Sequence, residues 1–110
     1  MPEKAVFATL FETILQRKTA GDPETSYVSR LMHKGTGKIN SKITEEAAEV
    51  CEAALEDDRD HLVYEICDLL FHTFVLCGHK DISLNEIEKE LARRFGSSGI
   101  EEKKNRNKQD

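Results

Sequence analysis

Tryptophan is missing from this sequence and proline occurs only twice, at Pro2 and Pro23, so long helices can run without a built-in breaker. No Cys-x-x-Cys spacing appears, and the three cysteines, Cys51, Cys67 and Cys77, make an odd number. All three fall inside apolar helical patterns, which predicts buried, reduced thiols rather than a disulfide framework. An amino-terminal apolar run with a charged flank and cleavage site is lacking, as is an uninterrupted apolar stretch of membrane length. The expectation is a cytoplasmic protein with no membrane partner. Net positive charge is lacking too: the formal charge is −5, which argues against general binding to nucleic acid. An acidic chain acting on an acidic substrate would need metal ions and local basic residues as mediators.

What is present reads as helix. A chain of 110 residues forms one domain and buries roughly two-thirds of its unfolded surface. Hydrophobic content of 38% and charged content of 34% fit an all-α protein better than a sandwich or a disordered chain. Phe7, Leu10, Phe11, Ile14 and Leu15 repeat at helical spacing between about Lys4 and Lys18, and Gly21-Asp22-Pro23 stops that run. Ser26 is placed to cap a short second helix through His33, with Val28, Leu31 and Met32 inward and Gly35 and Gly37 ending it. The predicted architecture is a bundle of about five helices in a single domain over 1–104, followed by a flexible charged tail at 105–110.

The third helix, roughly Lys38 to Glu56, carries the informative acids. Residues three apart share a helix face, so Glu46 and Glu49 point together, as do Glu65 and Asp68 further on. Taking Glu46 as zero, Ile39, Ile43, Ala47, Val50 and Ala54 lie between about 20° and 100° around the axis, with Glu49 near about −60° and Lys42 near about −40°. Glu46 and Glu49 are therefore expected to border the buried stripe, while Glu45, Glu52 and Glu56 turn toward water. Alone, this segment also describes an ordinary charged helix face.

The fourth helix, His61 to Cys77, is apolar almost all round and so is expected to be buried on more than one side. Glu65 and Asp68 nevertheless sit within it, and acids are seldom buried unless they are paired or bind a metal. Two like charges about 5 Å apart repel by roughly 3 kcal/mol at an effective dielectric of about 20, so four converging carboxylates call for a cation. Oxygen ligands favour magnesium, manganese or calcium, and magnesium commonly binds phosphates alongside carboxylates. So small a chain can hardly cover such a helix by itself, which predicts a homodimer completing the core.

Around this acidic pattern, Arg30, His33, Lys34, Lys38 and Lys42 make the preceding connection basic, either as a solvated face or as a phosphate grip. His72, four residues beyond Asp68, reads first as a hydrogen-bonded core histidine, otherwise as a group that orients Asp68 or touches a phosphate. Ser83 and Glu86 form a capping box for a last helix with Leu84, Ile87, Leu91 and Phe95 inward, ended by Gly96. The Gly/Ser stretch at 97–99 offers turns whose amides could receive phosphate oxygens.

Glu45-Glu46-x-x-Glu49, fifteen intervening residues, then Glu65-x-x-Asp68 resembles the signature of the all-α nucleoside triphosphate pyrophosphohydrolases. The flanks are similar to those of the phosphoribosyl-ATP pyrophosphatase family: Ser26-Tyr27 with Leu31 and Gly35, Asp68-Leu69-Leu70-Phe71-His72, and Leu91-x-Arg93-Arg94 through Ser98-Gly99-Ile100-Glu101-Glu102-Lys103. Thr44 and Cys67 replace residues that are often Gly and Ala in that family. The resemblance implies hydrolysis of phosphoribosyl-ATP to phosphoribosyl-AMP and pyrophosphate, the second step of histidine biosynthesis, with Mg²⁺ as cofactor and Mn²⁺ as a substitute. It implies Glu46, Glu49, Glu65 and Asp68 as metal ligands. Glu45 is then a supporting residue or the group polarising the attacking water. Lys42, Arg93, Arg94 and Lys103 are expected to grip phosphate or phosphoribosyl groups.

Three other readings compete. A housekeeping pyrophosphatase for modified deoxynucleotides would use the same fold. An acidic helical dimerisation module would bind a basic partner without catalysis. A calcium-binding regulator is disfavoured, because the Asp-x-Asp-x-Asp-Gly loop is missing.

Overall fold

The computed structural model describes residues 5–96, which contain five helices and no strand. They are α1 (Val6–Ala20), α2 (Tyr27–Lys34), α3 (Thr36–Ala54), α4 (Arg59–His79) and α5 (Leu84–Arg93). The all-α expectation of about five helices holds.

Local chemistry sets most boundaries. After α1, the Asp22 carbonyl accepts from the amides of Thr25 and Ser26 at 2.9 and 2.7 Å, turning the chain. Ser26 then caps α2 by accepting from the Ser29 amide at 3.2 Å. Gly35 alone joins α2 to α3, and its φ of +98° is a conformation that L side chains avoid. Gly37 was expected to end α2 but lies in the first turn of α3. Asp58 opens α4 by accepting from the His61 amide at 3.1 Å, two residues before the expected start. The connection 55–58 is so short that α3 and α4 must be antiparallel neighbours, and theirs is the most extensive helix contact in the molecule.

The core gathers Phe11 and Ile14 of α1, Val28 and Leu31 of α2, Ile39 of α3, and Phe74, Val75 and Cys77 of α4. It is built on the carboxyl-terminal half of α4. Lys18 of α1 closes that end: its Nζ donates to the carbonyls of Gly78 and His79 at 2.9 and 3.3 Å and pairs with Asp81 at 2.7 Å. The face of α4 turned away from α3 is left bare toward its amino-terminal end, with Val63, Tyr64, Ile66 and Leu70 all exposed.

Several expected burials do not occur in the single chain. Cys77 is buried, but Cys51 and Cys67 are exposed, Cys67 in the wall of an open hollow beside α1. Ala54 is exposed at the end of α3. In α5, Leu84 and Ile87 are half-buried, whereas Leu91, and Phe95 just beyond the helix, are exposed because only the start of the helix reaches the core.

Candidate metal centre

The buried residues of α3 are Ile39, Glu46 and Ala53, seven apart in each case. Seven residues is close to two helical turns, so these three form one line along the helix. Glu46 was expected at the border of the buried stripe; it lies at its centre, only 5% exposed. The reason is the partner helix. On α4, Glu65 and His72 are also seven apart and buried, with Asp68 between them on the same face. The antiparallel hairpin thus lays a polar line of α4 against a line of α3 that carries an acid at its middle.

Two sets of acids converge as a result. Ligand oxygens of Glu45, Glu46 and Glu49 lie within 4.8 Å of one another, and so do those of Glu46, Glu65 and Asp68. Glu46 belongs to both sets. All four acids that the sequence suggested as ligands are therefore brought together, and Glu45 joins them from an exposed position on the rim.

The electrostatics are those of a site short of positive charge. Burial, then a hydrogen bond to Glu49 and the charges of Glu49 and Asp68, push the Glu46 carboxyl up to about 7, and Lys42 offsets only part of this. Burial and Glu49 likewise raise Glu65, with His61 working against them. One oxygen on each of Glu46 and Glu65 is buried with no hydrogen-bond partner. Such an orphaned oxygen costs on the order of 1–3 kcal/mol, more when charged. A divalent cation with a preference for oxygen would satisfy both oxygens and reverse the strain on both carboxyls, so the residues present fit one.

Three polar groups surround the acids. Lys42 Nζ lies 3.3 Å from Glu45 Oε2 and 3.6 Å from Glu46 Oε1, on the face expected from its spacing. His61 had no pattern by which to single it out, yet it bridges Glu56 at 2.8 Å and Glu65 at 3.3 Å. Its spacing of four from Glu65 was the available signal. Tyr27, at the first turn of α2, donates its hydroxyl toward His72 Nε2 at 2.8 Å and stacks on Phe71 with ring centroids 6.3 Å apart. Arg93 and Arg94 are engaged on α5 with Glu90, at 2.6 and 3.0 Å. Lys103 and the Gly/Ser stretch at 97–99 lie outside the described residues.

Beside the acids an apolar hollow of about 360 Å³ opens between α1 and the bare face of α4, with Phe7, Leu10, Tyr64, Cys67 and Phe71 in its walls and Asp68 at its edge.

Residues 8–95 match the family model described as phosphoribosyl-ATP pyrophosphohydrolase. The chain is 48% identical over 99 residues to a phosphoribosyl-ATP pyrophosphatase of Neisseria gonorrhoeae, covering 90% of this chain and 92% of the relative. It is 50% identical over 102 residues to the phosphoribosyl-ATP pyrophosphatase of Geobacter sulfurreducens, covering 93% and 94%. A third such enzyme, from Hydrogenovibrio crunogenus, is 47% identical over 103 residues.

Proposed function

The chain belongs to the phosphoribosyl-ATP pyrophosphohydrolase family, and from that membership we propose that it hydrolyses phosphoribosyl-ATP to phosphoribosyl-AMP and pyrophosphate, the second step of histidine biosynthesis, with magnesium. The observation that carries the metal is the meeting of Glu46, Glu49, Glu65 and Asp68 across α3 and α4, with an orphaned oxygen on each of the two buried glutamates. Glu46, Glu49, Glu65 and Asp68 would hold magnesium, or manganese in its place. Bound there, the ion supplies positive charge against the polyphosphate and acidifies water.

In the reaction a water oxygen attacks phosphorus, the α–β anhydride bond breaks, and one proton leaves the water. Glu45, exposed at the rim beside Glu46, would take that proton or orient the water. Lys42 reaches from the same face toward the phosphates, its charge secured because the hydrogen bond to Glu45 and the surrounding negative groups outweigh the opposing effect of burial. Arg93, Arg94 and Lys103 are assigned to phosphate or phosphoribosyl groups by resemblance. The same site would serve a deoxynucleotide pyrophosphatase, which the choice of substrate distinguishes.

We read the functional unit as a cytoplasmic homodimer with no membrane or nucleic-acid partner. By length and composition alone α4 could cross a membrane. Buried Glu65 and His72 and the neighbouring Asp68 favour a bundle helix instead.

The test is pyrophosphate release from phosphoribosyl-ATP and from a panel of deoxynucleoside triphosphates, with and without Mg²⁺. Turnover is expected for phosphoribosyl-ATP with Mg²⁺. Glu49→Gln should keep the helical content and melting behaviour while losing turnover by at least about 100-fold. Undiminished magnesium-dependent activity in that variant would remove Glu49 from the site.

A further inference from the structure

His72 is a polar ring 5% exposed inside an apolar bundle, and both of its nitrogens are engaged. Nδ1 lies 2.7 Å from the backbone carbonyl of Asp68. A carbonyl has no proton to give, so Nδ1 carries the hydrogen. In the neutral ring Nε2 is then a lone pair, and the Tyr27 hydroxyl, 2.8 Å away, must be its donor. The direction of both bonds follows: Tyr27 hydroxyl to His72, His72 to Asp68.

This chain of bonds starts on α2 and ends on the turn of α4 that presents Asp68 to Glu46 and Glu65. In an α-helix the carbonyl of residue 68 already accepts from the amide of residue 72. The imidazole adds a second donor there, and Tyr27 fixes the imidazole from outside the helix. Tyr27 is itself held. Ser26 caps α2 just before it, and Ser29 Oγ donates to the Arg17 carbonyl at 2.8 Å, tying the same turn to α1.

We propose that Tyr27 and His72 are positioning residues for the metal centre, a relay from α2 that locks the Asp68 turn so that its carboxylate meets those of Glu46 and Glu65. The inference rests on the metal reading given above. Partners one step removed from metal ligands are worth about 10–100-fold in metal affinity or activity, which sets the expected effect. Tyr27→Phe is the clean variant, because it keeps the ring stacked on Phe71 and deletes only the hydroxyl.

Mn²⁺ alone is titrated into the full chain by calorimetry, without nucleotide, for the wild type, Tyr27→Phe, His72→Leu, the double variant and Ile14→Val. Tyr27→Phe should weaken Mn²⁺ binding by about 10-fold and lower kcat for phosphoribosyl-ATP with little change in KM. The double variant should be no weaker than His72→Leu, since both break one relay. Ile14→Val, a core change remote from the acids, should lower the melting temperature and leave Mn²⁺ affinity alone. Should His72→Leu fail to fold, Tyr27→Phe against Ile14→Val decides. Mn²⁺ affinity in Tyr27→Phe equal to wild type, or a loss matched by Ile14→Val, overturns the relay while leaving the metal centre standing. A wild type that takes up no Mn²⁺ overturns the metal centre, and the relay with it.

Discussion

Glu46 occupies a place on α3 where a bundle normally puts an aliphatic side chain, in line with Ile39 and Ala53. Its folded pKa of about 7 stands above the ordinary 4.5, so the folded state binds the proton more tightly than the unfolded one. That contribution to stability is complete below about 4.5 and is lost as pH rises through about 7. Metal-free protein should therefore melt higher at pH 5.5 than at pH 8. His61, raised chiefly by its hydrogen bond to Glu56, and Glu65, raised chiefly by burial, slope the same way, so Glu46→Gln is needed to isolate Glu46. Thermal melts of that variant should be flatter with pH and higher at pH 8, with Mn²⁺ uptake lost. A lower melting point at pH 8 would show that the buried charge is not the cost inferred here. Gly78 sets the opposite kind of constraint, because a Cβ there would lie 2.6 Å from Ile14 Cγ2. Alanine gains about 1 kcal/mol of helix propensity, but overpacking costs about 1–3 kcal/mol, and a branched side chain in the core has little room to yield. Gly78→Ala should destabilise in denaturant titration. The acid spacing was legible because residues three apart on one helix share a face whatever surrounds them. That Glu46 would lie at the centre of the buried face was not, since the position of α4 decides it.

At the scale of elements, the features fixed by neighbouring residues were readable and those made between helices were not. Ser83 and Glu86 form the expected capping box, with the Ser83 amide donating to Glu86 Oε2 at 2.8 Å. Ser26 caps α2 as its sequence suggests. By contrast, Tyr27 and His72 are forty-five residues apart and His72 offered only its spacing from Asp68, so their bond could not be foreseen. The same holds for Lys18, which lies in the last turn of α1 yet closes α4 through two carbonyls and Asp81. A cation at a helix carboxyl terminus contributes about 0.3–1 kcal/mol, and the two hydrogen bonds raise the total cost of Lys18→Met to about 1–2 kcal/mol. For a domain of this size that is a fall of roughly 4–10 °C in melting temperature. The loss should shrink in high salt, where the wild-type advantage is screened. A change below about 1 °C would mean that water serves these carbonyls as well as lysine does.

For the whole molecule the unresolved quantity is the apolar surface that a single chain leaves in water. Val63, Tyr64 and Ile66 on α4 are 53%, 63% and 40% exposed, and Val6 and Phe7 on α1 are each 50% exposed. Leu91 and Phe95, which their spacing marked as inward, are exposed in the single chain, and sequence periodicity cannot distinguish a residue facing its own core from one facing another copy. If α4 pairs across a two-fold axis, each substitution on its bare face is introduced twice into one interface. Ile66→Glu should then convert the dimer to a monomer in analytical ultracentrifugation. Wild-type melting temperature should rise with protein concentration, and in the variant that dependence should vanish. On a surface that truly faces water the same change would cost no more than about 0.5 kcal/mol and leave the sedimentation coefficient alone. A monomeric wild type at the concentrations of the assay would return the bare face of α4 to solvent and remove the homodimer from the functional unit.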